Sequence, residues 1–129
     1  MQVPFDVTVG EDGVVYMRLI GTLDRSNFDA LKAEVEHAKA TVKGESERRG
    51  ALVPVSFDLT DFSGTYNVEA MLAMKSLEEH NRPYVLKTAL FGGSAAARVA
   101  AELTLALIGQ KNLQLFATKD EAQAWLNEK

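Results

Sequence analysis

The chain has 129 residues with 14 basic and 18 acidic side chains, a net charge of −4; 47% of residues are apolar, 8% aromatic and 25% charged. These proportions belong to ordinary globular domains and exclude whole-chain disorder, collagen and low-complexity architectures. The length suits one domain, residues 1–129, whose core needs no metal or disulfide staple. Residues 1–50 and 51–129 each hold 7 basic and 9 acidic side chains. Without a clustered basic surface, nucleic acid is not an expected partner. The absence of cysteine removes thiol nucleophiles, thiolate metal sites and disulfide frameworks, and agrees with an intracellular, cytoplasmic setting. Met1-Gln2-Val3-Pro4-Phe5-Asp6 lacks the basic start and apolar stretch of a signal peptide. The most apolar segment, residues 94–108, contains Arg98 and Glu102 and falls short of the ~20 residues that a bilayer span requires.

In chain order, residues 3–9 and 14–20 are rich in β-branched and aromatic residues and flank Gly10-Glu11-Asp12-Gly13, which predicts an antiparallel hairpin. The period then changes. Phe28, Leu31, Val35, Ala38 and Val42 recur at helical spacing, predicting a helix over 27–43 that opens on a capping box of Ser26 and Asp29 and stops at Gly44. The segment 44–50 has no apolar residue and reads as an exposed loop. A strand is expected over 51–59, with Pro54 confined to its early part, followed by a turn over 60–66. Asn67 caps a second helix with Val68, Met71, Leu72 and Leu77 on one side, which ends near His80-Asn81 before Pro83. Residues 84–91 form the next strand. Gly92-Gly93-Ser94 opens a helix with two apolar faces, one of Ala96, Val99, Ala100, Leu103 and Leu107 and the other of Ala97, Ala101, Leu105 and Ile108, and Gly109 ends it. Two such faces predict burial on two sides, the second against the chain itself or in a homodimer. A short strand over 112–117 and a helix opened by the capping box Thr118-Lys119-Asp120-Glu121 complete the chain. The order ββαβαβαβα predicts an α/β fold: a mixed, mostly parallel sheet of about five strands with about four helices, and one antiparallel edge.

In an open sheet of this class, ligands bind outside the carboxyl ends of the strands. Three turns are expected there: Gly21-Thr22-Leu23-Asp24, Thr60-Asp61-Phe62-Ser63-Gly64 and Gly92-Gly93-Ser94. Gly92 and Gly93 would let a phosphate approach the backbone, but neither the lysine of a Walker motif nor a dinucleotide fingerprint accompanies them, so close helix packing with Ser94 as cap is the stronger reading. Asp58 and Asp61 could pair for acid-base work or Mg²⁺ binding, yet a turn aspartate ordinarily bonds backbone or water. His37 and His80 are not placed as catalysts, and no nucleophile elbow or His-Glu-x-x-His is present. The expectation is a non-enzymatic protein without metal or cofactor. Met71, Met74 and Leu77 read as core, with an adaptable partner surface as the other reading.

The run Val53-Pro54-Val55-Ser56-Phe57-Asp58-Leu59-Thr60-Asp61-Phe62-Ser63-Gly64 resembles the signature strand and turn of the STAS domain, the anti-sigma factor antagonist family, where an apolar strand leads into Asp-Ser-Ser-Gly. Asp61 and Gly64 match the aspartate and glycine, Ser63 matches the second serine, and Phe62 replaces the first. Gly21-Thr22-Leu23, Asp58, Phe116-Ala117, Glu121-Ala122 and Trp125-Leu126 resemble more closely the SpoIIAA-like, STAS/SEC14-like branch, over nearly the whole chain. The resemblance implies a small α/β domain that binds a protein partner rather than catalysing a reaction. It also implies Ser63 as candidate phosphoacceptor, where phosphate would place charge of about −1.5 to −2 beside a helix N-terminus, although Thr65-Tyr66-Asn67 stand between Ser63 and the helix. Thr22, Asp24, Asp58, Asp61, Phe62, Gly64, Gly92, Gly93 and Ser94 form the candidate binding edge. The two-faced helix, the methionines and the SEC14-like branch support a second expectation, a carrier or sensor of a small apolar ligand or lipid.

Overall fold

The computed structural model describes residues 4–108 and 112–128, with the side chains of 105, 107 and 108 left aside. The strand start expected at Val3, the helix stop at Gly109 and the facing of Leu105, Leu107 and Ile108 lie outside the described residues. Strands β1 (Phe5–Val9) and β2 (Val15–Leu19) form the expected antiparallel hairpin. Strands β4 (Val53–Asp58), β6 (Val85–Phe91) and β7 (Leu113–Phe116) extend it in parallel to give the order β1-β2-β4-β6-β7. Alternation in β1 and β2 turns Phe5, Val7, Val15 and Met17 to one face, where the main core lies. Pro54 stands inside the central strand β4, and the register against β6 shifts between Val53 and Pro54, which accommodates the missing donor.

The three connecting helices, α1 (Phe28–Arg49), α2 (Val68–Asn81) and α3 (Ala95–Ile108), pack on that core face. On the other, α4 (Lys119–Leu126) packs against β4, β6 and β7 over a smaller cluster of Val14, Ala89, Phe91, Ala122 and Leu126. Asn67 caps α2 by accepting from the Ala70 N–H at 2.8 Å, and Thr118 caps α4 by accepting from the Glu121 N–H at 3.2 Å, both as the sequence predicts.

Four local expectations are corrected. The helix expected to stop at Gly44 runs on to Arg49, and Gly50, with φ 63°, supplies the left-handed cap. The segment 44–50 is therefore mostly helix, held by an Arg48–Glu45 pair at 2.8 Å and by Arg49 donating to the Gly13 carbonyl at 2.6 Å. At the other end Ser26 and Asp29 form no capping box; Asp24 and Asn27 do, around a 3₁₀ turn at Arg25–Asn27. On α2, Val68 and Leu72 are exposed rather than sharing the inner side with Leu77. On α3, Ala97, Ala100 and Ala101 are buried but Val99 and Leu103 are 55% and 56% exposed, so the face expected to bury Ala96, Val99, Ala100, Leu103 and Leu107 is buried at Ala100 and open at Val99 and Leu103.

Gly44 sits within a helix with nothing inside 4 Å of where a Cβ would stand. Gly44→Ala is expected to raise the unfolding free energy by about 0.5–1 kcal/mol, measured by urea denaturation; a lower stability would contradict the continuous helix.

Candidate functional site

Two segments expected as turns are strands. Residues Gly21–Leu23 form β3 and Phe62–Tyr66 form β5, pairing in parallel as a separate two-stranded sheet at the carboxyl edge of the main one. The Gly21 N–H donates to the Asp61 carbonyl at 2.8 Å and the Asn67 N–H to the Leu23 carbonyl at 3.0 Å, closing both ends of the pair. Only Thr60 and Asp61 remain as the turn after β4.

This small sheet brings Thr22 and Ser63 together. Their hydroxyls share a hydrogen bond of 2.8 Å at the surface, and the Ser63 oxygen also accepts from the Thr65 N–H at 3.1 Å. Behind Thr22, its carbonyl accepts from Asn27 Nδ2 at 2.7 Å. Ser63 is thus a strand residue, and the helix expected beside it begins only at Val68. Asp24 caps the 3₁₀ turn by accepting from the Ser26 hydroxyl and N–H, which hold its carboxyl below the ordinary aspartate value. Because the shift is downward, the cap is complete above that ordinary value and is lost as pH falls through the lowered one.

Asp58 accepts from the Thr60 N–H at 2.8 Å, and Asp61 lies 3.8 Å from the Arg18 guanidinium. The two carboxylates therefore have turn and surface partners rather than one another. Gly92 and Gly93 have φ of 77° and 88°; a Cβ on Gly93 would lie 2.8 Å from the Leu59 carbonyl, and Ser94 accepts from the Ala97 N–H at 3.2 Å. That is close packing with a cap, as read from the sequence. Gly64, φ 91°, lets β5 lie directly on α3, since its Cβ would stand 2.6 Å from backbone atoms of Ala96 and Ala97.

His37 is exposed on the outer side of α1, beside Glu34. His80, beside Asn81 and Tyr84, is at the end of α2 that leads into β6, the opposite edge from Asp58 and Asp61. Among the described residues no group of three or more His, Asp or Glu could hold a metal ion, and no helix is long and apolar enough to cross a membrane.

Phe62, where the STAS signature has a serine, turns inward and is 6% exposed. Its ring lines a cavity of about 130 Å³ between the sheet, α2 and α3. Leu23, Phe57, Met71, Met74 and Ala101 also line it, and Glu78, Asn81, Arg82 and Asn112 bring polar groups to its wall. The helical spacing of Met71 and Met74 against the alanines of α3 was the sequence signal for this void; its size depends on how far the two helices stand apart.

The family described as SpoIIAA-like matches residues 14–127. The chain belongs to this SpoIIAA-like family. No curated protein sequence matches it. Several solved structures share this fold, among them the following three. One is the anti-sigma factor antagonist SpoIIAA in its unphosphorylated form, with 15% identity over 97% of this chain and 99% of that one and a TM-score of 0.61. Another is a protein of the DUF3478 family from Shewanella loihica, described as having a SpoIIAA-like fold, with 15% identity over 95% and 91% and a TM-score of 0.58. The third is the Bacillus cell fate determinant SpoIIAA in the phosphorylated form, with 17% identity over 95% and 99% and a TM-score of 0.55. The predicted α/β architecture, a mixed five-stranded sheet with four helices, is the one observed.

Proposed function

We propose that this SpoIIAA-like domain is a non-enzymatic, cytoplasmic regulatory module that works by binding a protein partner at the β3–β5 edge. The observation that carries this reading is the exposed Thr22–Ser63 hydroxyl pair, set among Asp24, Asp61 and Phe62 with no histidine at that edge. A similarly folded protein is described as an anti-sigma factor antagonist and is known in unphosphorylated and phosphorylated forms, which supports Ser63 as the phosphoacceptor. A phosphate there adds charge of about −1.5 to −2, replaces the hydrogen on the oxygen shared with Thr22, and stands near the carboxylate of Asp61. Its effect is repulsion of a partner rather than stabilisation of a helix.

The test compares wild type with Ser63→Asp and Ser63→Ala by crosslinking in the native host, with intact-mass measurement of the isolated protein. A partner held by wild type and Ser63→Ala but lost by Ser63→Asp, with phosphate found on Ser63, is the expected result. An identical partner set for all three proteins, or no phosphate at Ser63, would overturn the switch.

The cavity favours a second reading, a small apolar ligand held under α2 and α3. Native mass spectrometry should then show a retained mass that Ala101→Phe, which fills the void, no longer carries. A wild-type spectrum free of bound mass would count against the carrier and leave the partner reading intact.

A further inference from the structure

Because α1, α2 and α3 share one face of the sheet and α4 covers only part of the other, the outer face of β1, β2 and β4 forms a second cleft, of about 160 Å³. Its floor is two rows of paired positions: Asp6, Arg18 and Asp58 in one, and Thr8, Tyr16 and Ser56 in the other. Phe91 provides an apolar wall and Lys119, the first residue of α4, stands at the rim. This cleft opens at the carboxyl ends of β4 and β6, the side on which parallel sheets receive ligands.

Three of its groups have unused capacity among the described residues. Ser56 is 2% exposed, and its hydroxyl makes no hydrogen bond with the described residues but is open to the cleft rather than sealed in the core. Asp58 receives one backbone N–H and no cation, and Lys119 has no carboxylate within ion-pair distance. Arg18, by contrast, is already engaged by Asp6 at 3.6 Å and Asp61 at 3.8 Å. One cleft thus carries an anion and a cation without an ion-pair partner among the described residues, with an unpartnered hydroxyl in its floor.

We propose that this cleft binds a small zwitterion of the amino-acid class, its carboxylate on Lys119, its ammonium on Asp58 and a hydrogen bond to Ser56. A molecule carrying both charges satisfies both residues at once. A simple anion would leave Asp58 unpaired, and a simple cation would leave Lys119 unpaired. The site adjoins the β3–β5 edge, whose Asp61 reaches Arg18 in its floor, and lies on the other face of the sheet from the apolar cavity.

The test is a chemical-shift titration of the ¹⁵N-labelled full chain with β-alanine, with acetate and ethylammonium as single-charge probes. Saturable shifts confined to β2, β4 and the start of α4 are expected with β-alanine, and affinity about tenfold lower or worse for either single-charge probe. Lys119→Met and Asp58→Asn should each weaken β-alanine about tenfold while keeping the spectrum of a folded chain; the amide in Asp58→Asn retains an oxygen that can accept from Thr60. Ser56→Ala should weaken it as well. No saturation by about 50 mM β-alanine, weaker than any useful affinity, would overturn the proposal. So would acetate binding as tightly as β-alanine, which would make the cleft an anion site only.

Discussion

Gly64→Ala is expected to lower the unfolding free energy by about 2–4 kcal/mol, combining the cost of a left-handed backbone for a residue with Cβ and overlap with a neighbouring main chain. The residue adopts φ 91°, and the added carbon would meet Ala96 C and Ala97 N at 2.6 Å. The obstruction is backbone rather than the tip of a flexible side chain, so relief requires β5 or α3 to move. Thermal unfolding followed by circular dichroism should show a midpoint lower by about 8–15 °C for a chain of this size. A fall of under about 2 °C would mean that β5 does not lie on α3 as described.

Phe62→Ser restores the residue type of the STAS signature and is expected to cost about 3–5 kcal/mol, the range for removing a large buried aromatic ring. The ring is 6% exposed and forms part of the cavity wall. Its loss removes apolar contacts, enlarges the void and places a hydroxyl in apolar surroundings. Urea unfolding should give a lower midpoint with an unchanged slope. A cost under about 1 kcal/mol would show that the ring is dispensable to the core, and the departure from the signature would then carry no structural meaning.

The main sheet and the four helices were legible because their residues follow the physics of their surroundings. Phe5, Val7, Val15 and Met17 alternate toward one face, and Leu31, Val35, Ala38 and Val42 recur at helical spacing. Asn67, Ser94 and Thr118 cap as their chemistry predicts. Gly44 misled because a glycine that points into open solvent weakens a helix without ending it. β3 and β5 were hidden because Gly21 and Gly64, both at positive φ, read as turns, and three to five residues carry little periodicity. Of the candidate edge, Thr22 and Ser63 meet directly, whereas Gly92, Gly93 and Ser94 serve packing and capping. The apolar cavity had only the spacing of Met71 and Met74 and the alanines of α3 as its signal, and its volume, set by the separation of α2 from α3, was not legible.

The close contact of Gly64 with the first turn of α3 has a thermodynamic corollary. With no side chain on Gly64 to absorb a displacement, β5 bears directly on the helix whose Ala100 and Ala101 line the apolar cavity. A molecule that needs α3 to shift on entering the cavity must also do work on the strand that carries Ser63. By linkage, a partner that prefers one position of that strand changes the cavity's affinity by the same factor as the cavity's occupant changes the partner's.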